Sequence, residues 1–148
     1  MASHITEIMD AIANMTITGY TMPVYYGATE RDWAEIAHLP MRNISCYTQG
    51  NHTSTMTTGS YKVFQTQWII EDTAYIQKVS MGLGKRQIAP TMYGYAGAYI
   101  EALRNLSASN YWSLENYAVT PSALEWPQAS TDYMHVVRAR LTITDIVQ

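Results

Sequence analysis

From Tyr133 to Val147 the chain carries neither Gly nor Pro, and its side chains alternate in character. Val137, Ala139, Leu141, Ile143 and Val147 fall on one side of an extended strand, and Arg138, Arg140, Thr142 and Thr144 on the other. A strand of this length exceeds the usual ~5–6 residues. It either runs the length of a sheet or continues past the body of the subunit, and in both cases an all-helical fold is excluded.

The rest of the chain supplies neighbours for that strand. Tyr61 to Ile70 is a second clear strand, with Phe64, Trp68 and Ile70 on one face and Tyr61, Val63 and Ile69 on the other. Apolar groups on both faces place it centrally or under a cover. Met41 to Tyr47 and Tyr111 to Val119 also favour strands, and Thr21 to Tyr26 reads as a strand that Pro23 confines to an edge or bulge. The polar run Thr48 to Ser60 reads as a long hairpin connection. Thr73 to Leu83 reads as a strand end or a short helix, and Gly82, Gly84, Lys85 and Arg86 as a turn.

Two segments keep a helical period. Ile5, Ile8, Met9, Ile12 and Met15 form an amphipathic N-terminal helix, with Ser3 placed to cap it and Gly19 beyond its end. Ile88, Met92, Tyr95, Tyr99, Leu103 and Leu106 mark a central helix, with Pro90 in its first turn and Gly94, Gly97 and Ala98 admitting a close backbone neighbour. Thr29 to Ala37 suits a short helical turn ended by Leu39 and Pro40, and a loop carries Pro121, Trp126 and Pro127. The expected fold is α+β: a mixed, mainly antiparallel sheet flanked by the N-terminal and central helices, closed by a long C-terminal strand. With 148 residues, no internal repeat and no linker, residues 1–148 read as one domain.

Composition bears on function through its shortage of ions. Charged residues are 14% of the chain, against about 25% in an average globular protein. Twelve Tyr and four Trp accompany a single Phe. Amphipathic aromatics suit surfaces that are wet before assembly and dry after it. Such a surface is expected to be covered by other protein.

The ionisable residues do not converge on a chemistry. His4, His38, His52 and His135 lack metal-binding spacing, and Cys46, the only cysteine, sits in a β-prone run as a packed thiol. Gly82 to Arg86 lacks the spacing of a phosphate-binding loop, and no nucleophile elbow occurs. Glu71 and Asp72 are adjacent in a strand, so their carboxylates point to opposite faces and do not act as a pair. No enzymatic activity, cofactor or metal is expected. A net charge of -3 without a basic tract argues against a protein whose work is gripping phosphates. No apolar run reaches the ~20 residues a membrane helix needs, and no signal-like segment opens the chain, so assembly in a cytoplasm is expected. Candidate contacts between subunits are Tyr61, Trp68, Lys85, Arg86, Trp126, Arg138 and Arg140, the arginines meeting acidic partners across an interface.

The order of elements resembles the tail-terminator and related neck, or head-tail joining, proteins of long-tailed phages over nearly the whole chain. The resemblance is carried by the N-terminal helix, a strand, Leu39-Pro40 leading into a second strand, the polar hairpin, the Trp68-Ile69-Ile70-Glu71-Asp72 strand end, the Ile88-to-Leu106 helix and the closing strand. It implies a structural virion protein: a homohexameric ring that caps the tail tube and joins it to the neck connector, with genomic DNA passing through the bore in passive contact only. Acidic lining would come from scattered positions such as Glu30, Asp32, Glu35, Glu71, Asp72 and Glu115. The resemblance assigns no binding residues. Alternatives are another virion component (a head-completion, tail-tube or decoration protein) and a small cytoplasmic enzyme or ligand-binding domain with Tyr93, Tyr95 and Tyr99 beside a pocket.

Overall fold

The computed structural model describes residues 3–27, 39–58, 61–78, 85–106, 110–125 and 134–147. Helix α1 spans Ile5–Ala13 and helix α2 Lys85–Arg104. The strands are β1 (Val24–Tyr26), β2 (Met41–Thr58), β3 (Tyr61–Lys78), β4 (Trp112–Glu125) and β5 (Met134–Val147). They form one sheet in the order β1-β2-β3-β5-β4, and only the β1–β2 pairing is parallel. This is the α+β fold, with its mainly antiparallel mixed sheet, that the hydrophobic patterning implies.

The closing strand runs the length of the sheet. β5 pairs with β3 from Met134 opposite Lys78 to Val147 opposite Phe64, and with β4 from Met134 to Asp145. Its uninterrupted alternation lets one face stay buried along that whole length. Ile44, Ile70, Ala74, Val137, Ala139, Leu141 and Ile143 form a single core with Ile8 and Ile12 of α1 and Ile88, Met92, Tyr95, Tyr99 and Leu103 of α2. A nine-residue helix is too short to persist alone, so α1 depends on this contact. Burying Ile8 and Ile12 completely contributes about 1.5–3 kcal/mol each. On the other face Met41, Tyr75, Met134 and Val136 make a smaller core, with Tyr25 and Leu39 against it.

Several boundaries differ from the expectation. The Thr48–Ser60 segment is not a long connection: β2 continues through it to Thr58, paired with β3 from Tyr61 onward. Thr and Ser favour strands when a partner is present, and a polar hairpin has no apolar alternation to advertise that partner. β3 likewise does not end at Asp72 but continues to Lys78. Lys85 and Arg86 open α2 instead of lying in a turn, so Pro90 is inside the helix, where it removes the bond to the Arg86 carbonyl. β4 passes through Pro121, which an edge strand tolerates, next to a register shift between Thr120 and Ala123. β1 is only Val24–Tyr26. Gly94 does admit a close neighbour, but it is the Tyr20 hydroxyl, 2.7 Å from where a Cβ would stand, and nothing lies within 4 Å of that point at Gly97. The expected turn at Thr29 to Ala37 and the loop at Trp126 and Pro127 lie outside the described residues.

Candidate functional site

Among the described residues the buried ions, Arg42, Asp72 and Asp145, lie beneath α1. Asp145 of β5 is fully buried at the N-terminal end of that helix. It accepts the His4 backbone N–H at 2.9 Å and the Trp68 indole N–H at 3.2 Å, and its other oxygen lies 2.6 Å from His4 Nδ1. Ser3 is therefore not the cap; His4 occupies that position without a side-chain cap of its own, and a carboxylate from the far end of the chain does the work. A negative group there complements the helix dipole and satisfies a donor that the helix leaves open. Around it, the His4 ring stacks on Tyr111 with centroids 5.0 Å apart, and the Trp112 indole donates to Glu7 at 3.0 Å.

At the other end of α1 the sign reverses. Arg42 of β2, 3% exposed, donates to the carbonyls of Ile12 at 3.1 Å and Ala13 at 3.4 Å, the open acceptors of the last turn. Its Nε and Nη2 also donate to Asp72 of β3, which in turn accepts the Tyr99 hydroxyl from α2 at 2.7 Å. The guanidinium carbon stands 5.9 Å from the centroid of the Tyr99 ring. Burial opposes the charge on Arg42, but hydrogen bonding and attraction from Asp72 outweigh it and hold the group protonated. Burial first, and then the Asp72 charge, push the Tyr95 and Tyr99 hydroxyls above the ordinary tyrosine pKa. The sheet thus grips α1 by both ends, with an anion at its start and a cation at its finish.

Neither clamp was singled out from the sequence, although a signal for both was there. Asp72 and Asp145 stand on the apolar phase of their strands, Asp72 in step with Trp68 and Ile70, and Asp145 in step with Leu141 and Ile143. An ion on a buried phase signals a buried partner. The partner itself was hidden, because His4 and Asp145 are 141 residues apart. Alternation did place Glu71 and Asp72 on opposite faces: Asp72 is buried beneath the helices, and Glu71 pairs across strands with Arg140 on the other side.

A pocket of about 650 Å³ opens beside the second clamp, lined by Met15, Thr18, Tyr20, Thr21, Arg42 and Tyr95 among others. The Tyr95 hydroxyl, buried, has no hydrogen-bond partner among the described residues. Cys46 is half-buried and its thiol is pushed by burial up to about 11, which removes it as a nucleophile near neutral pH. Among the described residues no group of three or more His, Cys, Asp or Glu side chains is placed to hold a metal ion.

The residues expected at subunit contacts do not form one patch. Tyr61 begins β3 at the tip of the β2–β3 hairpin, and Lys85 and Arg86 begin α2. Trp68 packs against the core beneath the helices and is tied to Asp145. Arg138 and Arg140 share the opposite face of β5, where Arg140 is exposed and Arg138 half-buried, and Trp126 is outside the described residues. The large apolar side chains that are exposed among the described residues are all tyrosines: Tyr26, Tyr93, Tyr111 and Tyr117. No helix among the described residues is long and apolar enough to cross a membrane. No protein-family model and no curated protein sequence matches the chain.

Proposed function

We propose that this protein is a structural component of a phage virion, a tail terminator whose copies pack into a ring that caps the tail tube and meets the neck connector. One observation carries the reading: a chain already poor in ions uses part of that small complement inside. Among the described residues Arg42, Asp72 and Asp145 are buried. Fewer ions are left for the outer surface, and the large apolar side chains exposed there among the described residues are tyrosines, which tolerate water and bury well. That is the surface of a subunit that other subunits cover. The two clamps supply rigidity, fixing α1 on the sheet so that the outer faces are held in one arrangement before docking. In this reading the partners are further copies of the chain, tail-tube and neck proteins, with DNA only passing by.

The test is position. A cryo-electron microscopy map of intact virions, into which the fold is fitted, is expected to show a ring of this protein at the head-proximal end of the tail tube. Density for it in the capsid shell or along the tube overturns the terminator assignment in favour of a decoration or tube protein. A second reading, a small-ligand-binding domain, is favoured by the pocket that Arg42 and Tyr95 line. It requires a small molecule to raise the melting temperature of the wild-type protein and fail to do so for Tyr95→Phe.

A further inference from the structure

Among the described residues both edges of the sheet lack a neighbouring strand over part of their length, and they do so in a complementary way. β1 covers β2 only at Arg42, Asn43 and Ile44, with Gly27 N–H donating to the Ile44 carbonyl just beyond. From Ser45 to Thr58 the outer side of β2 has no strand beside it among the described residues. β4 is the opposite edge and likewise has no strand on its outer side there.

An open edge presents a row of unpaired backbone donors and acceptors, and monomeric proteins guard such rows with charge, proline or bulges. Both rows carry register shifts, in β2 between Thr48 and His52 and between Thr55 and Thr57, and in β4 on either side of Asn116 to Thr120, with Pro121 in the second of them, but charge is scarce. From Asn43 to Tyr61 the sequence has no Asp, Glu, Lys, Arg or Pro. In β4, Asn116 to Thr120 lies between two register shifts, pairs regularly with β5, and is also uncharged. The row Ser45, Glu71, Arg140, Ala118 runs across the sheet from one edge to the other. Its ions sit in the middle and its two ends are neutral. The exposed tyrosines Tyr26 and Tyr117 stand on the two edge strands.

We propose that β4 of one copy pairs with the open part of β2 of the next copy, so that the sheet continues from subunit to subunit. The inference deepens the ring reading and rests on it. Strand direction supports this occupant. β2 and β5 run one way and β3 and β4 the other, so a copy rotated about an axis along the strands brings its β4 antiparallel to β2. Two-fold pairing of β4 with β4 stops at a dimer and leaves the longer, uncharged β2 edge open. Pairing β4 with β2 is heterologous, satisfies both edges with one contact, and closes only as a ring.

Disulfide trapping tests it on the full chain. In a Cys46→Ser background, Ser45→Cys is combined with Asn116→Cys, Ala118→Cys or Thr120→Cys, three positions on one face that sample the register in steps of two residues. Oxidation of the double variants is expected to shift the protein, on non-reducing gels, into a ladder of covalent multimers for one of the three. Mixing the two corresponding single variants is expected to stop at a covalent dimer. A β4 single variant that dimerises by itself shows β4–β4 pairing and overturns the proposal. So does an assembly of several copies, seen by native mass, in which no double variant gives a ladder. That outcome leaves the terminator reading standing, whereas a trapped ring found elsewhere than on the tail sinks the terminator reading and keeps the edge pairing.

Discussion

Replacing Arg42 by Met removes the cation from a buried pair and leaves Asp72 with the Tyr99 hydroxyl as its side-chain donor among the described residues. Breaking a buried pair from one side costs about 3–5 kcal/mol, because the remaining ion is neither solvated nor matched. The variant also frees the Ile12 and Ala13 carbonyls, which is about 0.5–1.5 kcal/mol for each hydrogen bond, though the two losses overlap. Against a typical domain stability of about 5–15 kcal/mol this is a large fraction. With a urea slope near 2 kcal/mol/M, a loss of about 4 kcal/mol moves the midpoint down by about 2 M. Equilibrium unfolding in urea, followed by far-UV circular dichroism, measures it. Amide exchange should show α1 opening before the sheet, since its C-terminal grip is the part removed. The control is the triple variant Arg42→Met, Asp72→Leu, Tyr99→Phe, in which neither the Asp72 carboxylate nor the Tyr99 hydroxyl is left stranded; it is expected to recover most of the loss. An Arg42→Met cost below about 1 kcal/mol, or simple additivity of Arg42→Met and Asp72→Asn, would refute the view that these groups act as a unit.

Other outcomes follow from the same contacts. Asp145→Asn keeps the shape but presents an amide where His4 and Trp68 both donate, and is expected to cost about 2 kcal/mol with a change in tryptophan emission, both read in one fluorescence-monitored urea titration; a cost under about 0.5 kcal/mol contradicts the clamp. Burial favours the neutral phenols of Tyr95 and Tyr99, so their folded pKa lies above the unfolded one. The stability they confer is whole below about pH 10 and is lost as pH rises through their folded values. Melting temperature should therefore fall above about pH 10, and less steeply in Tyr95→Phe/Tyr99→Phe; equal slopes in both proteins contradict the assignment.

Much of the fold was legible because it is written in periods. The alternation of Val137, Ala139, Leu141 and Ile143 marked β5 and its buried face, and the spacing of Ile88, Met92, Tyr95, Tyr99 and Leu103 marked α2. The hairpin was misread because Thr48 to Thr58 has strand-forming residues without an apolar phase, and only pairing with β3 makes a strand of it. The clamps were illegible for another reason. Asp72, Asp145 and Arg42 can be suspected from their phase, but the groups that neutralise them come from segments far away in the chain. Of the expected contact residues, Trp68 turned inward because an aromatic with an N–H suits a core position where a buried carboxylate awaits a donor.

The proposed ring requires the ion-poor, tyrosine-bearing outer surface to be covered by further copies of the same chain. Native mass spectrometry of the purified protein across a concentration series measures this directly. One closed species at six times the chain mass is expected, with no filament series beyond it, and a protein that stays monomeric at every concentration contradicts the ring.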